Sequence, residues 1–199
     1  MTPGTGSGGV PPLALALFLA YLAVERIAEL RLSARHARAL RPRGAVEYGR
    51  SHFPWFVALH TLFPLALVAE VAWGNIRPGR LWPLWLGLFA AAQLLRFVSI
   101  RALGEYWNAR VWVVPGMKPI RRGPYRYLSH PNYVAVVCEL FSAPMMFGAW
   151  RTAVVVSILN LILLRNRIRV ENRALEEART QPHGSPHRGV SARPHPDAQ

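Results

Sequence analysis

Two stretches decide the fold: Phe53–Trp73, FPWFVALHTLFPLALVAEVAW, and Leu81–Ile100, LWPLWLGLFAAAQLLRFVSI. Each is close to the ~20 apolar residues that an α-helix needs to cross the hydrocarbon core of a bilayer. Working outward, Val10–Val24 carries no charge and can continue helically to about Leu30. Tyr133–Trp150 is a further apolar span, interrupted by Pro144. Thr152–Leu164 is short for a crossing on its own, so it must tilt, thin the bilayer or run on as a helix into the headgroups. Only Arg151 separates the last two segments, which predicts a tight helical hairpin. The expected fold is an all-α integral membrane protein of about five transmembrane helices.

Composition agrees. The chain has 199 residues, 52% hydrophobic, with 24 Lys+Arg against 10 Asp+Glu and a net charge of +14. The apolar residues fall in long blocks and the arginines between them, unlike an ordinary soluble domain. A single cysteine, Cys138, excludes a disulfide scaffold and any multi-Cys metal site. The aromatic content (7 Trp, 8 Phe, 6 Tyr) excludes a disordered polybasic chain. The Gly/Pro-rich residues 1–9 and the Pro/His/Arg-rich tail 179–199 read as disordered around a transmembrane domain spanning 10–178. The N-terminus lacks the basic region of a signal peptide.

Lys and Arg cluster in 26–50, 96–126 and 165–193, leaving Arg77, Arg80 and Arg151 for the other side. The positive-inside bias then predicts a multi-pass cell-membrane protein with its N-terminus outside and C-terminus in the cytoplasm. The basic loops are tied to spans and attract anionic headgroups, so membrane lipids are expected partners and nucleic acid is not. Oligomeric state is open.

The longest polar-rich stretch on the cytoplasmic side is 101–132, RALGEYWNARVWVVPGMKPIRRGPYRYLSHPN. Its four prolines, three glycines and five aromatic residues suit an irregular but packed surface. Pro119, Pro124 and Pro131 fix turns and push the preceding residues out of helical geometry. Asn132 or a neighbour can cap the following helix, and His130 near that helix start favours an anionic ligand group. The same residues also fit an interfacial aromatic belt. A second polar cluster, RNRIRVENRALEE (165–177), places Arg167 and Glu171 on one helix face. The hairpin brings it back beside 120–133, to one cytoplasmic mouth.

Ionisable groups at membrane depth are costly and mark interior or functional positions. Glu25, Arg26 and Glu29 can pair internally. Arg96 is near enough to the interface to snorkel, Glu70 to reach water, and Glu139 needs a partner. His52 and His60, about two helical turns apart, do not make a metal motif, and no metal is expected.

GPYRYLSHPNY (123–133), an apolar hairpin, and then RIRVEN (167–172) together resemble the isoprenylcysteine carboxyl methyltransferase family, well over about 101–176. Two positions depart from its pattern: Ser129 stands where the family has arginine, and Asn172 where it has a second acidic residue. GAVEYGRSHFPWFVALH (44–60) and LGEYWNARVWVVPG (103–116) resemble the bacterial branch associated with type III polyketide synthases. The resemblance implies S-adenosylmethionine bound without a Rossmann domain, in a cytoplasmic pocket. No strand–Gly-x-Gly–helix unit is present in the sequence. It implies cofactor contacts from Val114, Pro115, Gly116, Tyr125, Tyr127, His130, Pro131, Tyr133 and Glu171. Arg167 and Glu171 are implied as catalytic, and Glu47, His52, His60, Trp107 and Asn108 as acceptor-binding. The implied acceptor is a lipophilic small molecule, an alkylpyrone or alkylresorcinol hydroxyl ahead of an isoprenylcysteine carboxylate. A small carrier would leave 101–132 and the Arg167/Glu171 pair unexplained, and a reductase of related architecture would require a nicotinamide site that the sequence does not visibly offer.

Overall fold

The computed structural model describes residues 10–74 and 76–180. Their order is α1 Pro12–Leu40, β1 Val46–Tyr48, α2 Phe53–Trp73, α3 Trp82–Leu103, β2 Val111–Val113, α4 Pro131–Met146 and α5 Trp150–Thr180, with short 3-10 turns in the connections. The chain is mostly helical, and α2 occupies the predicted span. The expected disordered segments lie outside the described residues, apart from the last turn of α5.

α1 runs ten residues beyond the sequence expectation. Its second half, RLSARHARAL, is charged but built from strong helix formers. Ser33, Ala37 and Leu40 recur at helical spacing as its buried stripe. α2 and α3, with their adjoining turns, are long and apolar enough to cross a membrane. Only 22% of the most apolar window in each is buried within the molecule, so most of that surface faces outward.

One apolar core joins α1, α2, α3, α4 and α5 through residues such as Leu22, Phe63, Phe89, Leu140 and Val156. The α4–α5 turn closes at Gly148, whose φ is +81°; a Cβ there would lie 2.4 Å from the Arg77 carbonyl oxygen. Glu70, expected to reach water, instead accepts from the Arg151 and Thr152 backbone amides at 3.2 and 2.7 Å and from the Thr152 hydroxyl at 2.6 Å. A carboxylate against free amides and the positive end of the helix dipole is favourable there.

Arg96 does not snorkel. It is 4% exposed and donates to Glu29 at 3.0 Å and to Glu139. Arg26 donates to Glu29 at 2.7 Å and to Glu139 at 2.5 Å. Glu139 thus finds partners on α1 and α3, and the network pins three helices together.

Among the described residues, the one departure from an all-α fold is a two-stranded antiparallel ribbon pairing Val46 with Val113, Glu47 with Trp112 and Tyr48 with Val111. Val111 and Val113 pack on Ala174 and Ala178 of α5. The ribbon fastens the α1–α2 and α3–α4 connections to the end of the last helix.

Candidate functional site

Pro131 begins α4, where a fixed φ is an advantage and a missing N–H costs nothing. This start directs Tyr133 toward α5. The Tyr133 hydroxyl accepts from Arg167 Nε at 2.7 Å and donates to the Glu171 carboxylate. His130 stacks on the Tyr133 ring, 5.2 Å between centroids and 13° apart, and its Nδ1 lies 3.9 Å from Glu171. The Arg167 guanidinium lies 5.4 Å from both the Phe56 and Tyr133 ring centroids. Only its Nε is bonded among the described residues, leaving the outer fork of the guanidinium available. The loop and the helix end, distant in sequence, therefore meet.

Two cavities adjoin at this meeting point. One, of about 160 Å³, is walled by Trp107–Asn108, β2, Tyr125, Ser129, His130, Tyr133, Arg167 and Glu171. The other, of about 210 Å³, runs between α1, α2, α4 and α5, past Phe53, Phe56, Val136 and Leu164 to Arg26, Glu29, His60 and Arg96. Trp107, Asn108, Asn132, Tyr133 and Arg167 belong to both walls. Arg167 also borders a small cleft containing Glu47 and His52, so it is the side chain common to all three.

The shared wall is held from α1. His36 Nδ1 donates to the Trp107 carbonyl at 2.7 Å. Asn108 Nδ2 donates to the Ser33 carbonyl at 3.1 Å, and the Ser33 hydroxyl donates back to Asn108 Oδ1. Glu47 is 5% exposed at its side chain and accepts from Arg110 at 2.7 Å and Arg50 at 2.9 Å. Burial would raise its carboxyl, but the two guanidiniums outweigh that and hold it below the ordinary value. Tyr125 is pushed up by burial and by the Glu171 carboxylate, which keeps its hydroxyl a donor at physiological pH.

Of the residues implied by resemblance, Tyr125, His130, Tyr133, Arg167, Glu171, Trp107 and Asn108 gather at the smaller cavity, and His60 lines the larger. Glu47 and His52 border only the adjoining cleft. Val114, Pro115 and Gly116 sit just behind the wall, between the lining residues Val113 and Met117. The Gly116 amide is engaged, donating to the Ala178 carbonyl at 2.9 Å. Pro131 is buried beneath the site as the first residue of α4. Tyr127 points away at 85% exposed and walls neither cavity, because the turn at Gly123–Arg126 directs Tyr125 inward and Tyr127 out. Asn132 does not cap α4; its Oδ1 is buried without a partner.

Sequence reasoning missed Arg26, Glu29 and Arg96 as cavity lining. Their charge at membrane depth was the only signal, and it does not say which way a side chain turns. Among the described residues no group of three or more His, Cys, Asp or Glu can hold a metal ion.

The model of the isoprenylcysteine carboxyl methyltransferase (ICMT) family matches residues 85–177. The chain belongs to this family. Every residue lining the smaller cavity falls inside that segment, whereas the larger draws Arg26, Glu29, Phe53, Phe56, His60 and others from outside it. The chain is also 39% identical over 164 residues to the uncharacterized protein YpbQ of Bacillus subtilis (strain 168), covering 81% of this chain and 96% of that one. An uncharacterized protein of Haemophilus influenzae (strain ATCC 51907 / DSM 11121 / KW20 / Rd) is 28% identical over 159 residues, covering 79% and 92%. No solved structure gives a significant match. The family is one of membrane methyltransferases.

Proposed function

We propose that this protein is an integral-membrane, S-adenosylmethionine-dependent O-methyltransferase acting on a lipophilic acceptor, with an alkylpyrone or alkylresorcinol hydroxyl favoured. Five spans place the N-terminus outside and the C-terminus in the cytoplasm. Outward-facing apolar residues on α1 (Leu13, Leu17, Val24) and α5 (Val155, Ile158, Ile162) support contact with lipid along helices beyond α2 and α3. The observation that carries the reading is the pair of cavities joined at Tyr133 and Arg167.

In this reading the smaller, cytoplasmic cavity takes the methyl donor and the larger, apolar one the acceptor. The donor set fits S-adenosylmethionine: a carboxylate at Glu171 for an amino group, the Tyr125 hydroxyl as a donor, and aromatic faces for a cation. A cation over such a face gains roughly 0.5–2 kcal/mol. When bound, that molecule supplies an already activated methyl group. The protein's task is then to hold the acceptor oxygen in line and dry, a proximity term that can supply ~7–11 kcal/mol. Arg167 is suited to it. Its Nε is fixed by the Tyr133 hydroxyl, which leaves the outer fork to orient an oxyanion. Glu171 accepts from Tyr133, which lies between it and Arg167, so a proton leaving a hydroxyl acceptor has a carboxylate close by.

An isoprenylcysteine carboxylate is the second reading. It is favoured by the same open guanidinium, since a carboxylate needs orientation and no base. The hydroxyl acceptor is preferred because the segments resembling the polyketide-associated branch supply Phe53, Phe56, His60, Trp107 and Asn108 to the larger cavity.

The test is binding of S-adenosylmethionine and S-adenosylhomocysteine to the detergent-purified wild type, Glu171→Ala and His130→Ala. The wild type is expected to bind both, and each variant to bind at least tenfold more weakly. Unaltered binding in both variants contradicts the site, and no binding by the wild type contradicts the activity. Methyl transfer to an alkylresorcinol against a farnesylcysteine analogue then separates the two acceptor readings.

A further inference from the structure

The larger cavity does not end in hydrocarbon. Phe53 and His60 both line it, seven residues apart along α2, so it runs about 10 Å along that helix. His60 lies four residues, about 6 Å, beyond Phe56, on whose ring Arg167 packs. There the walls change from Phe56, Val57, Val136 and Leu164 to Arg26, Glu29, His60 and Arg96.

The floor keeps unclaimed hydrogen-bond acceptors. Arg26 is committed to Glu29 and Glu139, and Arg96 to the same two carboxylates. Each Glu29 oxygen already accepts one guanidinium N–H and retains a second lone pair. His60 Nδ1 lies 2.9 Å from the Phe56 carbonyl, which can only accept, so the ring proton is on Nδ1. In the neutral ring Nε2 is then an acceptor, and no described residue bonds it. Glu25, Glu29 and Glu139 against Arg26 and Arg96 also leave one negative charge in excess. Arg96 Nε lies 3.7 Å from the Glu25 carboxylate, while His60 Nε2 and the Glu29 oxygens keep acceptor capacity.

We propose that His60 and Glu29 form a recognition site for a hydrogen-bond donor, a second hydroxyl on the acceptor's head, about one helical turn along α2 from the Phe56 ring on which Arg167 packs. The inference rests on the methyltransferase reading above and adds a selection rule to it. A purely apolar chain running to the floor would leave buried acceptors unsatisfied, which is costly. The acceptor's tail leaves sideways instead, past Leu30 and Val57, which are 49% and 44% exposed on the outer side of the cavity. The head that remains is compact and carries oxygens at two ends. Arg26, Glu29 and His60 lie outside the 85–177 segment matched by the family, so the rule belongs to this chain's own N-terminal helices.

The experiment titrates the full chain, in detergent and saturated with S-adenosylhomocysteine, with a long-chain alkylresorcinol and with the matching meta-alkylphenol that lacks one hydroxyl. Tryptophan fluorescence reads binding. The wild type is expected to bind the resorcinol about tenfold to a hundredfold more tightly, the range for one hydrogen bond to a buried or charged partner. His60→Phe and the near-isosteric Glu29→Gln are each expected to shrink that preference, with S-adenosylhomocysteine binding in the same samples reporting a folded protein. Equal affinities in the wild type, no binding of either probe, or a preference that survives both variants would overturn the floor site. Wild type that fails to bind S-adenosylhomocysteine would instead overturn the reading beneath it.

Discussion

The two cavities differ in provenance as much as in polarity. The smaller is assembled entirely from the segment shared with the family: the 101–133 connection, the start of α4 and the second half of α5. The larger takes about half its lining from α1 and α2, outside that segment. A methyl donor is the same molecule for every member of such a family, whereas acceptors differ. On the proposed reading, a donor site built from one contiguous segment, beside an acceptor site walled in part by other helices, would let one vary without the other. Arg167, bordering both, is the point where they must agree.

The largest effect is expected at the ionic network under the acceptor cavity. Arg96→Met leaves Glu139 and Glu29 short of a buried partner, a change that typically costs about 3–5 kcal/mol. Thermal unfolding in detergent should show a clear drop in midpoint. Next comes the junction. Arg167→Ala should lower kcat by about a hundredfold to a thousandfold, the range for losing one preorganised donor, while S-adenosylhomocysteine binding changes by only a few-fold. A comparable loss in both would assign Arg167 to the donor cavity alone.

A smaller contrast is expected between two tyrosines two residues apart. Tyr125→Ala should weaken S-adenosylhomocysteine binding by severalfold, while Tyr127→Ala, at an 85% exposed position, should leave it unchanged in the same titration.

The smallest effect concerns the ribbon. The Glu47 carboxyl is lowered in the folded chain, so its contribution is fully present above the ordinary carboxylate value of 4.5. It is lost as pH falls through the lowered folded value. Unfolding midpoints measured across that acidic window should fall less steeply for Glu47→Gln than for the wild type.

What was legible in the sequence follows from the range of the forces involved. The bounds of α2 and the facing of Arg167 and Glu171 come from local periodicity and charge, and both agree with the structure. The meeting of the His-Pro turn with α5 was legible because the link between the last two helices is short, though it is the three residues 147–149 and not Arg151, which lies in the first turn of α5. The ribbon was not. Val46–Tyr48 and Val111–Val113 are three residues each, too short for any alternation to register, and they pair across more than sixty residues. Arg96 and Glu70 were misplaced for a related reason. A charge near a helix end looks interfacial until a partner from another helix, Glu139 or the start of α5, is known to reach it.

The most direct measurement is an experimental structure with S-adenosylhomocysteine bound. Density between Tyr125, His130 and Glu171, with the sulfur turned toward Tyr133 and Arg167, is the predicted result. The same molecule lodged among Phe56, Val57 and Leu164, or anywhere that does not touch Glu171, would contradict the division of donor and acceptor between the two cavities.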